Sequence, residues 1–449
     1  MLDDILKARE ERAQYKSYLE SLDRGTVVSF TMNIPSEGKK NPKYSSWLCH
    51  LMMAEFTAAI SVCHLRINFS ELRIDEDGPE GFMLVEDTPT SLKQLGMEIE
   101  ENHALGRLFD IDVATIHRTD LGKSLRKCLV CNANAVDCIV SQKHSKKDIF
   151  HVIDHLIEDR DHRISHKIIE IALRAVLYEI SCTPKPGLVD RRDSGPHHDM
   201  DYFTFLNSSV TLISYIQKVC DVTCEYSHEP EAYFRKIKMI GRHAESEMYM
   251  ATGGINTQKG LIFSLGIACA AATQAVRKFG NCDIEIVSDI AAKLAVQIFA
   301  LNDEHVPNNE NKDNELTHGE QVRRQLNVDG IIGEATSGFH TAITVGLPSL
   351  KETLSKNYDF NDAMVHSLIS LMNKIEDSNV LYRGGLEALD YVREKTDNIL
   401  GNGSIFSHKG MEAIESLNSE LTKRNIGTGG AADMLALTVF LYFIESVRL

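Results

Sequence analysis

Two aspartates and an arginine stand close together in Gly106-Arg-Leu-Phe-Asp110-Ile-Asp112-Val. Carboxylates at i and i+2 on a strand point to one face. Such a pair suits a divalent metal, which in turn binds a polyphosphate, and Arg107 suits the charge on a leaving pyrophosphate. The plain alternative is a solvated strand edge. A second group runs from residue 183 to 433. Thr183-Pro-Lys-Pro-Gly-Leu-Val-Asp190 cannot continue a helix through its prolines, and Lys185 beside the exposed amides of such a turn suits phosphate. Gly195-Pro-His-His-Asp199-Met-Asp201 brings another pair of acids; at a helix start, Asp199 would instead be an N-cap. Gly253-Gly-Ile-Asn-Thr-Gln-Lys259-Gly260 precedes an apolar stretch, so amides, helix dipole and a lysine meet where an anion can sit. Its glycine spacing is not that of a P-loop, and a bare turn into a helix is the alternative. Glu245, Glu247, Thr317-His-Gly-Glu320, Gly333-Glu334, Asp377 to Gly385 and Gly429-Gly-Ala-Ala-Asp433 add further acids. Acids that gather beside glycines at the ends of predicted helices point to a metal-binding pocket for a polyphosphate.

Cys128-x2-Cys131-x6-Cys138-x5-His144 has the residue types of a zinc site, although its spacings match no known finger. Buried reduced cysteines are the alternative reading.

These residues need elements to hold them. The first 145 or so residues read as mixed α and β. The spacing predicts helices over Asp3–Leu22 and Ser46–Leu65. It predicts strands over Thr26–Ile34 and Leu108–Ile116, and a hairpin from Phe69–Ile74 and Gly81–Val85. After about residue 150 long helical patterns take over: His166–Ile180, Phe205–Ile216, Gly260–Phe279, Asp289–Leu301, Asp362–Ile375 and Gly430–Val447. Gly, Pro and Asn cluster between them, at Thr183–Gly195, Gly253–Gly260, Gly330–Gly338 and Asn425–Gly430. The fold class is therefore multidomain: an α+β N-terminal domain, then a mostly all-α helical domain whose loops converge. The charged His144–His166 segment is expected to join them as a helix.

Composition narrows the function. The 48 Lys and Arg against 64 Asp and Glu give a net charge of −16, which argues against a duplex-binding protein that neutralises phosphates. The longest apolar runs, such as Leu261–Ala272, fall short of a membrane span. The N-terminus has no signal-peptide core, and ten cysteines in 449 residues do not make a disulfide scaffold. A cytoplasmic enzyme with no nucleic acid or membrane partner is expected.

Val28-Ser-Phe-Thr-Met-Asn-Ile-Pro35, Gly78-Pro-Glu-Gly81, His103-Ala-Leu-Gly-Arg-Leu-Phe-Asp-Ile-Asp-Val and Arg126-Lys-Cys-Leu-Val-Cys131 with Cys138 and His144 occur in order. Together they resemble the apo-citrate lyase phosphoribosyl-dephospho-CoA transferase family over roughly residues 5–155, which implies a transferase domain at 1–155. One departure is Val140, where a basic residue is expected. Over residues 165–449, Thr183 to Arg191, Gly195-x-His-x-Asp-Met-Asp201, Asn256-Thr-x-Lys-Gly260, His318-Gly-Glu320, Gly333-Glu-Ala335, Asp377-x-Asn-x-x-x-Arg-Gly-Gly385 and Gly430-x-Ala-Asp433 are similar to triphosphoribosyl-dephospho-CoA synthase. Here Gln258 stands for a usual histidine, Ile332 for an arginine and His340 for a proline.

The two resemblances imply one bifunctional transferase. ATP and 3′-dephospho-CoA would give the 2′-(5″-triphosphoribosyl) derivative and adenine. Phosphoribosyl-dephospho-CoA would then pass to a serine of the citrate lyase acyl carrier (gamma) subunit, releasing pyrophosphate. On this reading Asp110 and Asp112 hold Mg²⁺ and Arg107 faces the leaving group. Lys185, Gly187, His197, Asn256, Thr257, Lys259, Gly260 and Arg383 bind the nucleotide substrates, with metal at Asp199, Asp201 and Glu320. Glu334 or Asp433 is the base. The rivals are the same chemistry serving malonate decarboxylase, a non-catalytic nucleotide sensor on this scaffold, and a metal-dependent nucleotide hydrolase.

Overall fold

The computed structural model describes residues 2–41, 43–113, 116–225, 230–303 and 318–447. They form two compact units: Met1–Ile164 with Val276–Gly280, and Ser165–Ala275 with Asn281–Arg448.

The first unit is built on a four-stranded antiparallel sheet of β1 (Thr26–Met32), β2 (Ile67–Asp75), β3 (Gly78–Val85) and β4 (Phe109–Val113), in the order β2-β3-β1-β4. Alternation along β1 sends Val28, Phe30 and Met32 into the main core and Val27 to the opposite face. The helix Ser45–Val62 packs on β1 and β3, and Pro89–Asn102 on β4. Phe30 meets Phe56 edge to face at 5.2 Å, and each such fully buried side chain contributes roughly 1.5–3 kcal/mol. The helix Leu2–Ser21 supplies Leu19 to the smaller cluster with Val27, Phe82 and Leu84. β3, with apolar cover on both sides, is buried at every position.

The expected Leu108–Ile116 strand is shorter, because Leu108 closes a 3₁₀ turn Gly106–Leu108, while residues 114 and 115 lie outside the described residues. The two segments expected as separate helices at 144–166 and 166–180 are one helix, Lys146–Ser181; no proline or glycine interrupts it.

The second unit is helical. Gly429–Ile444 is apolar nearly all round, as a helix enclosed by others must be. Lys259–Phe279 corrects the expectation that its apolar run is too short for a membrane. The whole helix is long and apolar enough by composition, yet 78% of its most apolar stretch is buried in the protein. A second correction concerns Gly330–Gly338, expected as a loop, where residues Gly330–Thr336 form a short helix. Glycine disfavours a helix interior by only about 1 kcal/mol, which packing overrides. Among the helices that the spacing did not predict are Pro89–Asn102, Pro230–Ala251, Ser378–Gly401 and His408–Lys423.

Candidate active sites

In the first unit, β4 is an edge strand. Phe109, Ile111 and Val113 face the core, and Asp110 and Asp112 share the half-buried face. They lie opposite Thr31 and Ser29 of β1. Thr31 Oγ1 donates to Asp110 Oδ2 at 3.0 Å and Arg126 Nη2 to Asp110 Oδ1 at 3.0 Å. Lys93 Nζ donates to Asp112 Oδ1 at 3.0 Å and Lys16 Nζ to Asp112 Oδ2 at 3.4 Å. Burial pulls the Asp112 carboxyl upward, but the two lysines outweigh it and hold it below the usual carboxylate value. Arg126 also reaches the buried Glu100, whose Oε1 accepts from Ile111 N–H.

The arrangement is a half-open pair of acids ringed by three cations. Lys16, Lys93 and Glu100 were not anticipated. Neither lysine falls in a motif, and only the buried position of Lys93 on the helix Pro89–Asn102 singles it out. Arg107 departs from its expected place. Its Nη2 donates to Cys128 O at 2.6 Å and Asn132 Oδ1 at 3.2 Å, anchoring the cysteine loop.

In the second unit, residues far apart in sequence meet at helix N-termini. Lys259–Phe279 begins beside Asn256, whose Oδ1 accepts from Lys259 N–H at 3.3 Å. Gly260 packs against the carboxylate of Asp433, so closely that a methyl at Gly260 would overlap Asp433 Oδ2. Asp433 sits in the first turns of Gly429–Ile444. Just before that helix, Thr428 Oγ1 donates to Pro186 O at 3.0 Å, which ties in the 183–190 loop. Asp377 joins two helix starts. It caps Ser378–Gly401 through Asn379 N–H at 2.9 Å and accepts from Ala431 N–H at 3.0 Å. Gly187 N–H donates to Asn418 Oδ1 at 3.0 Å.

Arg383 donates to Asn425 O and Oδ1 at 3.1 and 2.8 Å. The helix that carries it breaks at Gly385 (φ 65°, ψ −163°), a conformation open to glycine alone. Burial lowers the basicity of His197, Arg383 lowers it further, and Asp199 opposes both. The Asp433 carboxyl is pushed well up, first by burial and then by the charges of Glu179 and Asp377.

Other expected residues are engaged differently. Lys185 is buried and paired with Glu179 at 2.6 Å, so its charge is already balanced. The N-cap of Tyr202–Glu225 is Asp201 rather than Asp199: Asp201 Oδ1 accepts from Thr204 N–H at 2.8 Å. Glu334 accepts from Thr341 N–H at 3.1 Å and from its hydroxyl at 2.5 Å, within the short-helix region of 330–341. Glu320 falls in the helix His318–Leu326, and its side chain lies outside the described residues. Lys259 pairs with Glu245 at 3.1 Å but stays one-third exposed. Thr257 donates to Ser208 Oγ at 2.8 Å. Gln258 is buried, its amide between Ser208 and Ser209 at 2.7 and 3.4 Å; that departure from histidine is a packed interior group. A cleft of about 610 Å³ lined by Tyr233, Phe234, Gln274, Asp289 and Lys293 holds none of these motif residues.

A family model described as apo-citrate lyase phosphoribosyl-dephospho-CoA transferase matches residues 1–160. One described as ATP:dephospho-CoA triphosphoribosyl transferase matches residues 165–448. Protein CitXG of Leuconostoc mesenteroides subsp. cremoris is 29% identical, over 98% of this chain and 96% of its own. Protein CitXG of Haemophilus influenzae is 29% identical over 98% of this chain and 95% of its own. A probable 2-(5″-triphosphoribosyl)-3′-dephosphocoenzyme-A synthase of Streptococcus mutans is 32% identical, over 62% of this chain and 96% of its own.

Proposed function

The chain belongs to the ATP:dephospho-CoA triphosphoribosyl transferase family, joined behind an apo-citrate lyase phosphoribosyl-dephospho-CoA transferase region, and from that premise we propose how its residues divide the work. The protein builds the citrate lyase prosthetic group and attaches it. We assign residues 165–449 the synthase step and residues 1–155 the attachment step. The carrier subunit of citrate lyase is the protein partner, and ATP and 3′-dephospho-CoA are the small substrates. We place the protein in the cytoplasm, where its ten free thiols suit a reducing compartment.

In the synthase step the 2′-hydroxyl oxygen of dephospho-CoA bonds to C1′ of the ATP ribose, the bond from C1′ to adenine breaks, and adenine takes up one proton as the hydroxyl gives one to the base. The triphosphate stays on the product. The transition state resembles an oxocarbenium ion, so the site needs a base, an anion on the ring side and cations for the triphosphate. Asp433 is the base. Of the two candidates it is the one set at the N-terminus of Lys259–Phe279, against Gly260. Its raised proton affinity suits removal of a hydroxyl proton. Lys259, Arg383 and His197 hold phosphates, with the first amides of Lys259–Phe279. Lys185 holds Glu179 and keeps the floor of the site neutral.

In the attachment step the carrier serine oxygen bonds to phosphorus and pyrophosphate leaves, carried by positive charge rather than by a covalent nucleophile. Lys16, Lys93 and Arg126 supply that charge. Asp110 and Asp112 fit Mg²⁺: they share a half-open face, and each carboxylate oxygen has a second lone pair beyond its present partner. Bound there, the ion would supply Lewis-acid neutralisation of the pyrophosphate. Asp199 fits less well, since Asp201 beside it is occupied as a helix cap.

The contact of Asp433 with Gly260 carries the synthase reading. Incubating the protein with ATP, Mg²⁺ and 3′-dephospho-CoA should yield free adenine and a triphosphoribosyl adduct by mass spectrometry. Added apo carrier subunit should then gain the mass of phosphoribosyl-dephospho-CoA. Phosphate release without adenine would instead indicate a nucleotide hydrolase, and bound but intact ATP a sensor.

A further inference from the structure

Cys128, Cys131, Cys138 and His144 come together although the transfer chemistry uses none of them. One ligand atom from each lies within 4.8 Å of all the others. A tetrahedral zinc with Zn–S bonds of ~2.3 Å sets its sulfurs roughly 3.8 Å apart by geometry. Cys131 Sγ and Cys138 Sγ are already 3.5 Å apart.

The local fold presents these groups without help from distant segments. Cys128 N–H donates to Ala133 O at 2.6 Å, and Lys127 bridges Asn134. This closes a tight loop around Cys-x2-Cys, with Asn132 at φ 59° making the turn after Cys131. Cys138 stands on the short helix Ala135–Val140, capped by Asn134. His144 directly precedes Ser145, whose N–H and hydroxyl donate to Asp148 at the start of Lys146–Ser181. One more observation points to a ligand: His144 Nε2 is buried and has no hydrogen-bond partner. A buried ring nitrogen without a partner is costly, and a metal bond would satisfy it.

We propose that Cys128, Cys131, Cys138 and His144 bind one structural Zn²⁺. Three thiols lose their protons on binding and the imidazole stays neutral, so the site carries one net negative charge. Lys143 Nζ, 3.8 Å from Cys131 Sγ, offsets it. Four protein ligands leave no open position, which makes the ion structural rather than catalytic. Its task is to fix the loop. The carbonyl of Cys128 anchors Arg107, and Arg126, two residues before Cys128, reaches Asp110. The zinc loop thus positions a cation of the attachment site.

The experiment measures metal in the full-length protein, purified under reducing conditions and reconstituted with Zn²⁺. One zinc per chain is expected. Cys138→Ser and Cys131→Ser should each lose most of it, and Cys63→Ser, at an exposed cysteine outside the group, should keep it. If the ligand variants fail to fold, Co²⁺ substitution in the wild-type protein answers the same question. A tetrahedral thiolate spectrum with intense sulfur-to-cobalt charge transfer supports the site. Substoichiometric zinc with no such spectrum overturns it, as does a Cys131–Cys138 disulfide that forms at the same rate with and without Zn²⁺. A zinc-selective chelator, with Mg²⁺ in excess, should abolish carrier modification and leave adenine release unchanged. Loss of both activities together would overturn the local positioning role. Zinc content is read without any assay of activity, so failure here is distinct from failure of the transfer reading.

Discussion

At the scale of single residues, the two units use acids in opposite electrostatic settings. Asp433 is half-buried beside other acids, so its folded form holds its proton above the ordinary value of 3.8. Its contribution to stability is therefore present below that ordinary value and lost as pH rises toward the raised one. Asp433→Asn removes this loss. The variant should be at least as heat-stable as the parent above neutral pH, while adenine release falls by about 100-fold or more; thermal unfolding and adenine chromatography check the two halves. The parent's adenine release should also rise with pH as Asp433 becomes ionised. Asp112 behaves in the reverse sense. Lys16 and Lys93 keep it ionised, so its stabilising effect is present above 3.8 and lost only as pH falls through its lowered folded value. Lys93→Met removes one part-buried charge-assisted hydrogen bond to it. Carrier modification should slow roughly 10- to 100-fold, from the 1.5–3 kcal/mol such a bond contributes, with adenine release unaffected. A carrier mass-shift time course would show it.

Helices act on the chemistry through their ends. Lys259–Phe279, Ser378–Gly401 and Gly429–Ile444 begin near one another, linked by Asp377, Gly260 and Asp433. The helix dipoles at such starts favour phosphate. Gly260 is the close approach that allows this, since it leaves room for the Asp433 carboxylate. Gly260→Ala should force the two helices apart, destabilise the second unit by about 1–3 kcal/mol and depress adenine release. Transfer of a supplied triphosphoribosyl intermediate should continue at the parent rate. A variant with unchanged melting temperature and unchanged adenine release would remove this contact from the account.

For the whole molecule, fusion joins two steps in which the first product is the second substrate. A tether raises the local concentration of one site around the other but does not by itself trap the intermediate. Mixing Asp433→Asn protein with Asp112→Asn protein should therefore restore carrier modification, after a lag that shortens as protein concentration rises. Each variant alone should fail with ATP and dephospho-CoA. Absence of complementation in the mixture, with each variant retaining its remaining half-reaction, would mean that the intermediate does not leave the chain that makes it.

The sequence by itself carried the family of both halves, the α+β-then-helical order, and the shared face of Asp110 and Asp112, because these depend on local spacing: period two on a strand, period 3.6 on a helix. It also supplied the four zinc-type residues, but not their convergence. Tertiary structure alone decided which groups meet. Nothing near Lys16 or Lys93 in the chain marks them as partners of Asp112, some 96 and 19 residues away. Lys185 and Arg107 read as phosphate ligands by type, yet folding gave them Glu179 and the Cys128 carbonyl as partners. Asp433 and Glu334 look equivalent beside their glycines. Only packing sets the half-buried Asp433 against Gly260 and commits Glu334 to Thr341, since burial and charge neighbours belong to the three-dimensional arrangement and not to the local sequence.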